Sequence, residues 1–239
     1  MKRYLLVHGL GLSADIWSHL SPLLDGEVIA RDLPGHGASR SQAYGWIDLW
    51  TEISSPVRRD QWAETVLVLH SFTAALVPEI VSSGIRPAHV VLLEGILHSK
   101  DAYWSNDISL MNHGEYQSWL NRFRSVSEMA LKSQLVSKQS KKDIGIWSEA
   151  FRKVQGNALK EMASNLKNRL ASDALSIAFA KSDFPITYIK GEKSRVSLPR
   201  DLLRLAGGHH QVFEDCGHFP MIDSVGTVVK HLTKIWSIR

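Results

Sequence analysis

Residues 66–76 read VLVLHSFTAAL. Four apolar residues run into His70-Ser71-Phe72 and small residues follow, so a buried strand bends sharply into a helix with a serine at the bend. Such a serine is either a helix cap or a hydroxyl held out for attack. The strained turn that presents an attacking serine has the pattern G-x-S-x-G, with glycine two residues before and two after. Here Leu69 and Thr73 stand at those positions. The motif is incomplete, and the rest of the chain has to decide its meaning.

Short apolar runs like 66–69 recur at 4–7, 28–30, 90–93, 186–189 and 210–213. Most are continuous rather than alternating, as strands buried on both faces of a parallel sheet are. Helical patterns separate several of them: one after Ser13 carrying Ile16, Trp17, Leu20 and Leu23, one after Ser71, and one over 221–236. This alternation predicts a doubly wound α/β fold: about six mainly parallel strands with helices on both faces. The interval 98–183 shows helical periodicity and no strand signal, for example in SWLNRFRSVSEMALKSQL. It reads as two to four helices inserted after the fourth strand, a helical lid on a core made of 1–97 and 184–239. Its aromatic residues pack the lid, and some line whatever cavity lies beneath it.

Composition narrows the function classes. The chain has 239 residues, 44% apolar and 22% charged, enough for one well-buried core. The first ten residues, MKRYLLVHGL, hold too short an apolar run for a signal peptide, and no window approaches the roughly 18 apolar residues of a membrane span. The single cysteine, Cys216, allows neither an internal disulfide nor a thiolate metal site by itself, so a cytoplasmic location is expected. The net charge of +4 comes from the centre, where residues 98–181 hold 13 Lys and Arg against 8 Asp and Glu. No basic patch interleaved with aromatics points to nucleic acid. No dinucleotide fingerprint or phosphate loop is present, and the neighbours His209 and His210 cannot share a metal on one strand face. Neither cofactor nor metal is expected.

In an open parallel sheet, ligands bind beyond the carboxyl ends of the strands. The residues there are HGLG (8–11), DLPGHGAS (32–39), HS (70–71), EG (94–95), GE (191–192) and CGH (216–218). HGLG, DLPGHGAS, HS after a buried strand, and CGHFP near the C-terminus, taken in this order, resemble the α/β-hydrolase fold superfamily over nearly the whole length. The resemblance implies that fold without its first two strands.

A serine hydroxyl attacks an acyl carbon only if a base takes its proton, and the base needs a carboxylate to orient it. Ser71 and His218 fit the first two roles. For the acid the family pattern expects an aspartate three positions after Gly191, where this chain has Ser194. Two glutamates remain as candidates: Glu94, which ends an apolar strand at a position where a subset of the family places its acid, and Glu192. Another residue as the acid, or a dyad without one, are the remaining possibilities. The resemblance implies an oxyanion hole from the backbone N–H groups of Leu10 and Phe72. It makes His8, Asp32 and His36 structural. The bulkier residue before the elbow resembles haloalkane dehalogenases, but those attack with aspartate, and serine points to acyl chemistry. Arg195, just beyond the vacant acid position, is a candidate anchor for a substrate carboxylate.

These residues imply a serine esterase or thioesterase acting on a small-molecule ester or thioester through an acyl-enzyme. A carbon–carbon hydrolase or lyase of the same fold, or a ligand-binding relative without turnover, are the alternatives. The opening HGLGLSADIW resembles the pimeloyl-carrier-protein methyl esterases, and a basic lid would suit an acidic acyl-carrier protein.

Overall fold

The computed structural model describes residues 1–139 and 141–237. The chain opens with β1 (Arg3–Val7) and β2 (Glu27–Arg31), then α1 (Trp46–Ser54), β3 (Thr65–His70), α2 (Val77–Ser82) and β4 (His89–Leu93). Helices α3 (Tyr103–Leu110), α4 (His113–Ser125), α5 (Ser127–Lys132), α6 (Lys141–Lys153), α7 (Gly156–Leu170) and α8 (Ala174–Lys181) follow. The chain continues through β5 (Ile186–Gly191), α9 (Arg200–Leu205), β6 (His209–Phe213), α10 (Pro220–Asp223) and α11 (Val225–Ser237).

The six strands form one parallel sheet in the order β2-β1-β3-β4-β5-β6. Leu5 of β1 is flanked by Ile29 of β2 and Leu67 of β3. The chain therefore winds one way from β1 to β2 and the other way from β3 onward. The point of reversal lies between β1 and β3, where the crevice of such a sheet opens. The loops 8–11 and 70–73 leave from neighbouring strand ends there, since Val7 pairs with Leu69.

Alternate residues of the central strands feed opposite faces. Leu5, Leu67, Leu69 and Leu92 pack with Leu49 of α1, Ile80 of α2, Phe179 of α8 and Leu203 of α9. Leu6, Val66, Val68 and Leu93 pack on the other side with Trp17, Trp147 of α6 and Leu232 of α11. Burial on both faces explains why these strands read as unbroken apolar runs. β2 and β6 are the edge strands, and β6 exposes His209 to Val212.

Three helical expectations are corrected. The segment after Ser13 forms two 3-10 turns, Ala14–Trp17 and Ser21–Leu23, with Pro22 starting the second, and Leu23 faces solvent. The helix expected over 221–236 is broken at Ser224 into α10 and α11. Between β4 and β5 there are six helices among the described residues rather than two to four. Caps divide them: Asn112 accepts the Glu115 N–H at 3.0 Å and Glu115 accepts the Asn112 N–H at 2.8 Å, a reciprocal cap that starts α4. The last helix, α8, contributes Leu175, Ala178 and Phe179 to the core cluster beside α2.

Candidate active site

The bend after β3 is a strained one. Ser71 has a φ of +55°, and the chain continues as a 3-10 turn, Ser71–Leu76, before α2. An L-residue in this left-handed region costs roughly 1–2 kcal/mol and persists only where its surroundings fix it. The Ser71 carbonyl accepts the Ile96 N–H at 3.0 Å. Thr73, in place of the elbow glycine, turns its hydroxyl onto the His70 carbonyl at 2.9 Å and so satisfies itself inside the core. Ala74 can lie against the end of β4 because residue 95 is glycine: a Cβ there would meet the Ala74 Cβ at 2.5 Å.

Ser71 and His218 come from strand ends on either side of β4. The Ser71 hydroxyl donates to His218 Nε2 at 3.1 Å, and His218 Nδ1–H donates to Glu94 Oε2 at 3.2 Å. Of the two candidate glutamates, the structure brings Glu94 to the histidine. Glu94 has a φ of +51° and is fully buried. Its carboxylate is held from β5: Oε1 accepts the Gly191 N–H at 2.5 Å, and Oε2 accepts the Ser194 hydroxyl. These partners supply what a buried carboxylate requires. Glu192 points elsewhere, exposed, with Lys193 Nζ at 3.0 Å and the Asp215 N–H at 3.3 Å.

Three buried histidines frame the site as neutral rings. His8 Nδ1–H donates to the Gly9 carbonyl and Nε2 accepts the Leu33 N–H; His36 Nδ1–H donates to the Pro34 carbonyl and Nε2 accepts the Gly11 N–H at 3.0 Å. Burial lowers His8 to about 4 and, with the neighbouring His8, His36 to about 3. They bind loop 8–11 to the 32–39 loop. Asp32 completes that turn through the Ala14 and Ala38 N–H groups. His70, also held well below the usual histidine range by burial, donates from Nε2 to the His218 carbonyl at 2.9 Å.

Loop 8–11 lies against the serine closely enough that a Cβ on Gly9 would come within 2.9 Å of the Ser71 Cβ. Leu10 and Phe72, the two expected amide donors, line the same cavity as Ser71 and His218. This cavity, about 80 Å³, is otherwise mainly apolar, with Ile96, Phe151 and Phe219 in its wall and Asp101 at one side. A second cavity of about 330 Å³ shares His218, Trp104 and Gln134 with it and is bounded by Lys193, Ser194 and Arg195.

Two residues with evident structural roles at the site were missed in the sequence. Ser194 registers there only as a missing aspartate. Asp223 receives the Gly217 N–H at 2.9 Å on one oxygen, and on the other the Val136 N–H at 3.0 Å, the Ser137 N–H at 2.9 Å and the Ser137 hydroxyl at 2.6 Å. It ties the histidine loop to the chain between α5 and α6. Among the described residues no cluster of His, Cys, Asp and Glu is arranged to hold a metal ion, and no helix is long and apolar enough to cross a membrane. Cys216 is buried, and burial pushes its thiol up to about 12.

No curated protein matches the chain. Solved structures are similar in fold at low identity. One is Cfl2 from Burkholderia cenocepacia, at 16% identity and a TM-score of 0.81, covering 98% of this chain and 87% of that one. Another is the esterase EaEST from Exiguobacterium antarcticum, at 12% and 0.79, covering 98% and 91%. A third is the epoxide hydrolase CorEH, at 18% and 0.75, covering 100% and 93%. The sequence model of the Alpha/beta hydrolase family matches residues 4–230. Sheet order, the strained bend at Ser71 and that match over nearly the whole sequence agree: the chain belongs to the alpha/beta hydrolase family.

Proposed function

We propose that the protein hydrolyses carboxylic ester or thioester bonds through an acyl-enzyme, with Ser71 as nucleophile, His218 as base and Glu94 as the carboxylate that orients it. The observation that carries this reading is the continuous chain of contacts from Ser71 Oγ to His218 Nε2 at 3.1 Å and from His218 Nδ1 to Glu94 Oε2 at 3.2 Å, at the wall of a cavity. Both distances lie within reach of proton transfer and of tautomer control.

His218 Nε2 takes the Ser71 proton as Oγ bonds to the acyl carbon, and the carbonyl oxygen gains the electron pair between the Leu10 and Phe72 N–H groups. His218, now a cation facing Glu94, returns the proton to the leaving oxygen or sulfur as that bond breaks. Water then repeats the sequence on the acyl-serine and releases the acid. The basic excess of residues 98–181 supports an acidic acyl carrier as one bearer of such an ester.

The test is hydrolysis of 4-nitrophenyl acetate together with labelling by a fluorophosphonate. Wild-type protein is expected to do both and Ser71→Ala neither. Equal turnover by the two proteins would remove Ser71 from the reaction. Absence of labelling in folded wild-type protein would favour a ligand-binding relative without turnover.

A further inference from the structure

The two cavities meet at His218, and their walls differ in chemistry. Ser71, Gly9, Leu10 and Phe72 line only the smaller one. An acyl carbonyl must reach the serine and those two amides, so the acyl group occupies that side. An engineered cavity of about 150 Å³ holds a benzene ring, so about 80 Å³ suits an acyl chain of roughly two to four carbons. Its wall also carries the Asp101 carboxylate, which accepts the Ser197 hydroxyl at 2.9 Å and is 7% exposed. A second negative charge there would be repelled at low dielectric.

The leaving group takes its proton from the histidine and therefore lies on the histidine's side, where the larger cavity opens. No Asp or Glu lines that cavity, whereas Lys193 and Arg195 do. Lys193 is paired with Glu192 at 3.0 Å. Arg195, exposed, forms no ion pair among the described residues, and its planar fork suits a carboxylate or phosphate.

We infer that Arg195 forms an anion subsite for the leaving group, and that the substrate class is esters or thioesters joining a short apolar acyl group to an alcohol or thiol bearing a carboxylate or phosphate. The inference rests on the acyl-transfer reading above for the placement of the two halves. Charge then lies at the mouth, where it steers approach, and the apolar acyl group enters the enclosed side.

The experiment compares 3-acetoxybenzoate with 3-acetoxybenzamide, which share the acyl group and differ in leaving-group charge. Wild-type kcat/KM is expected to favour the benzoate by about five- to tenfold, as one charge-assisted contact at a partly exposed site allows. Arg195→Ala is expected to bring the ratio to about one, mainly through KM for the benzoate, and Arg195→Glu to invert it. A ratio that Arg195→Ala leaves intact overturns the subsite, and turnover of 4-nitrophenyl hemisuccinate in preference to 4-nitrophenyl butyrate, which differ only in charge on the acyl side, overturns the substrate class.

Calorimetric titration of Ser71→Ala with 3-hydroxybenzoate and 3-hydroxybenzamide reads the subsite without turnover. Benzoate binding to Ser71→Ala that a further Arg195→Ala change weakens about fivefold, found together with wild-type protein that cleaves neither ester, would leave the subsite standing and remove the esterase reading. Ester turnover with no dependence on Arg195 in either measurement would do the reverse.

Discussion

Ser71 and Glu94 both lie in the left-handed region, at φ +55° and +51°, and both direct a side chain at His218. Glycine relieves such strain, so Ser71→Gly is expected to stabilise the protein by about 1 kcal/mol relative to Ser71→Ala, measured by urea unfolding, while both lose turnover. For the carboxylate, Glu94→Gln is expected to lower kcat by about 10³- to 10⁴-fold, as loss of an orienting acid does elsewhere, and Glu192→Gln to change it little. The reverse ranking would move the acid to the end of β5. Ser194→Ala removes a hydroxyl from the oxygen that also faces His218, and a drop of about tenfold in kcat is expected. Glu94 was legible in the sequence because a carboxylate ending an apolar strand has to be held by something. Ser194 and Asp223 were not, since a serine and an aspartate in polar loops carry no signal of partners about 90 to 100 positions away.

Helix α7 links the helices between β4 and β5 to α2 on the sheet. Arg169 forms a two-point pair with Glu79 of α2, Nη2 to Oε1 at 2.5 Å and Nη1 to Oε2 at 3.2 Å, both side chains about nine-tenths buried. Its guanidinium also lies 4.7 Å from the centre of the Trp46 ring, which stacks on Phe72 at 5.0 Å. The residue after the serine is thus braced from α7 through one indole. Glu79→Gln leaves a buried cation without its counter-charge and is expected to cost about 3 kcal/mol in urea unfolding, whereas replacing both partners by apolar residues of similar size is expected to cost much less. A similar loss from both designs would mean that packing, not charge, sets the cost. The central strands β1, β3, β4 and β5 were readable because burial on both faces leaves a continuous apolar run. Helix limits were less so, because the Asn112–Glu115 cap and the break at Ser224 interrupt a periodicity that otherwise continues.

Across the whole molecule, the buried histidines couple stability to acid. His8, His36 and His70 have depressed values in the folded state, so unfolding takes up protons once the pH is below the ordinary histidine value of about 6.5. Their stabilisation is complete above that value and is lost progressively toward pH 4 and below. Three such groups give a slope of up to roughly 4 kcal/mol per pH unit near pH 5. Urea midpoints are expected to hold near neutrality and fall steeply between pH 6 and 4.5; midpoints flat across that window would show that the rings accept protons without unfolding. The doubly wound sheet was visible from the alternation of apolar runs with helical patterns, but this acid sensitivity depends on which ring nitrogens meet backbone groups.

Asp223 has a mechanical consequence. By gripping Gly217 with one oxygen and residues 136 and 137 with the other, it joins the segment between α5 and α6 to the loop that carries His218. A shift of residues 136 and 137 would pull on the loop that carries His218, so substrate is expected to enter the larger cavity, which Val136 lines, without displacing that edge.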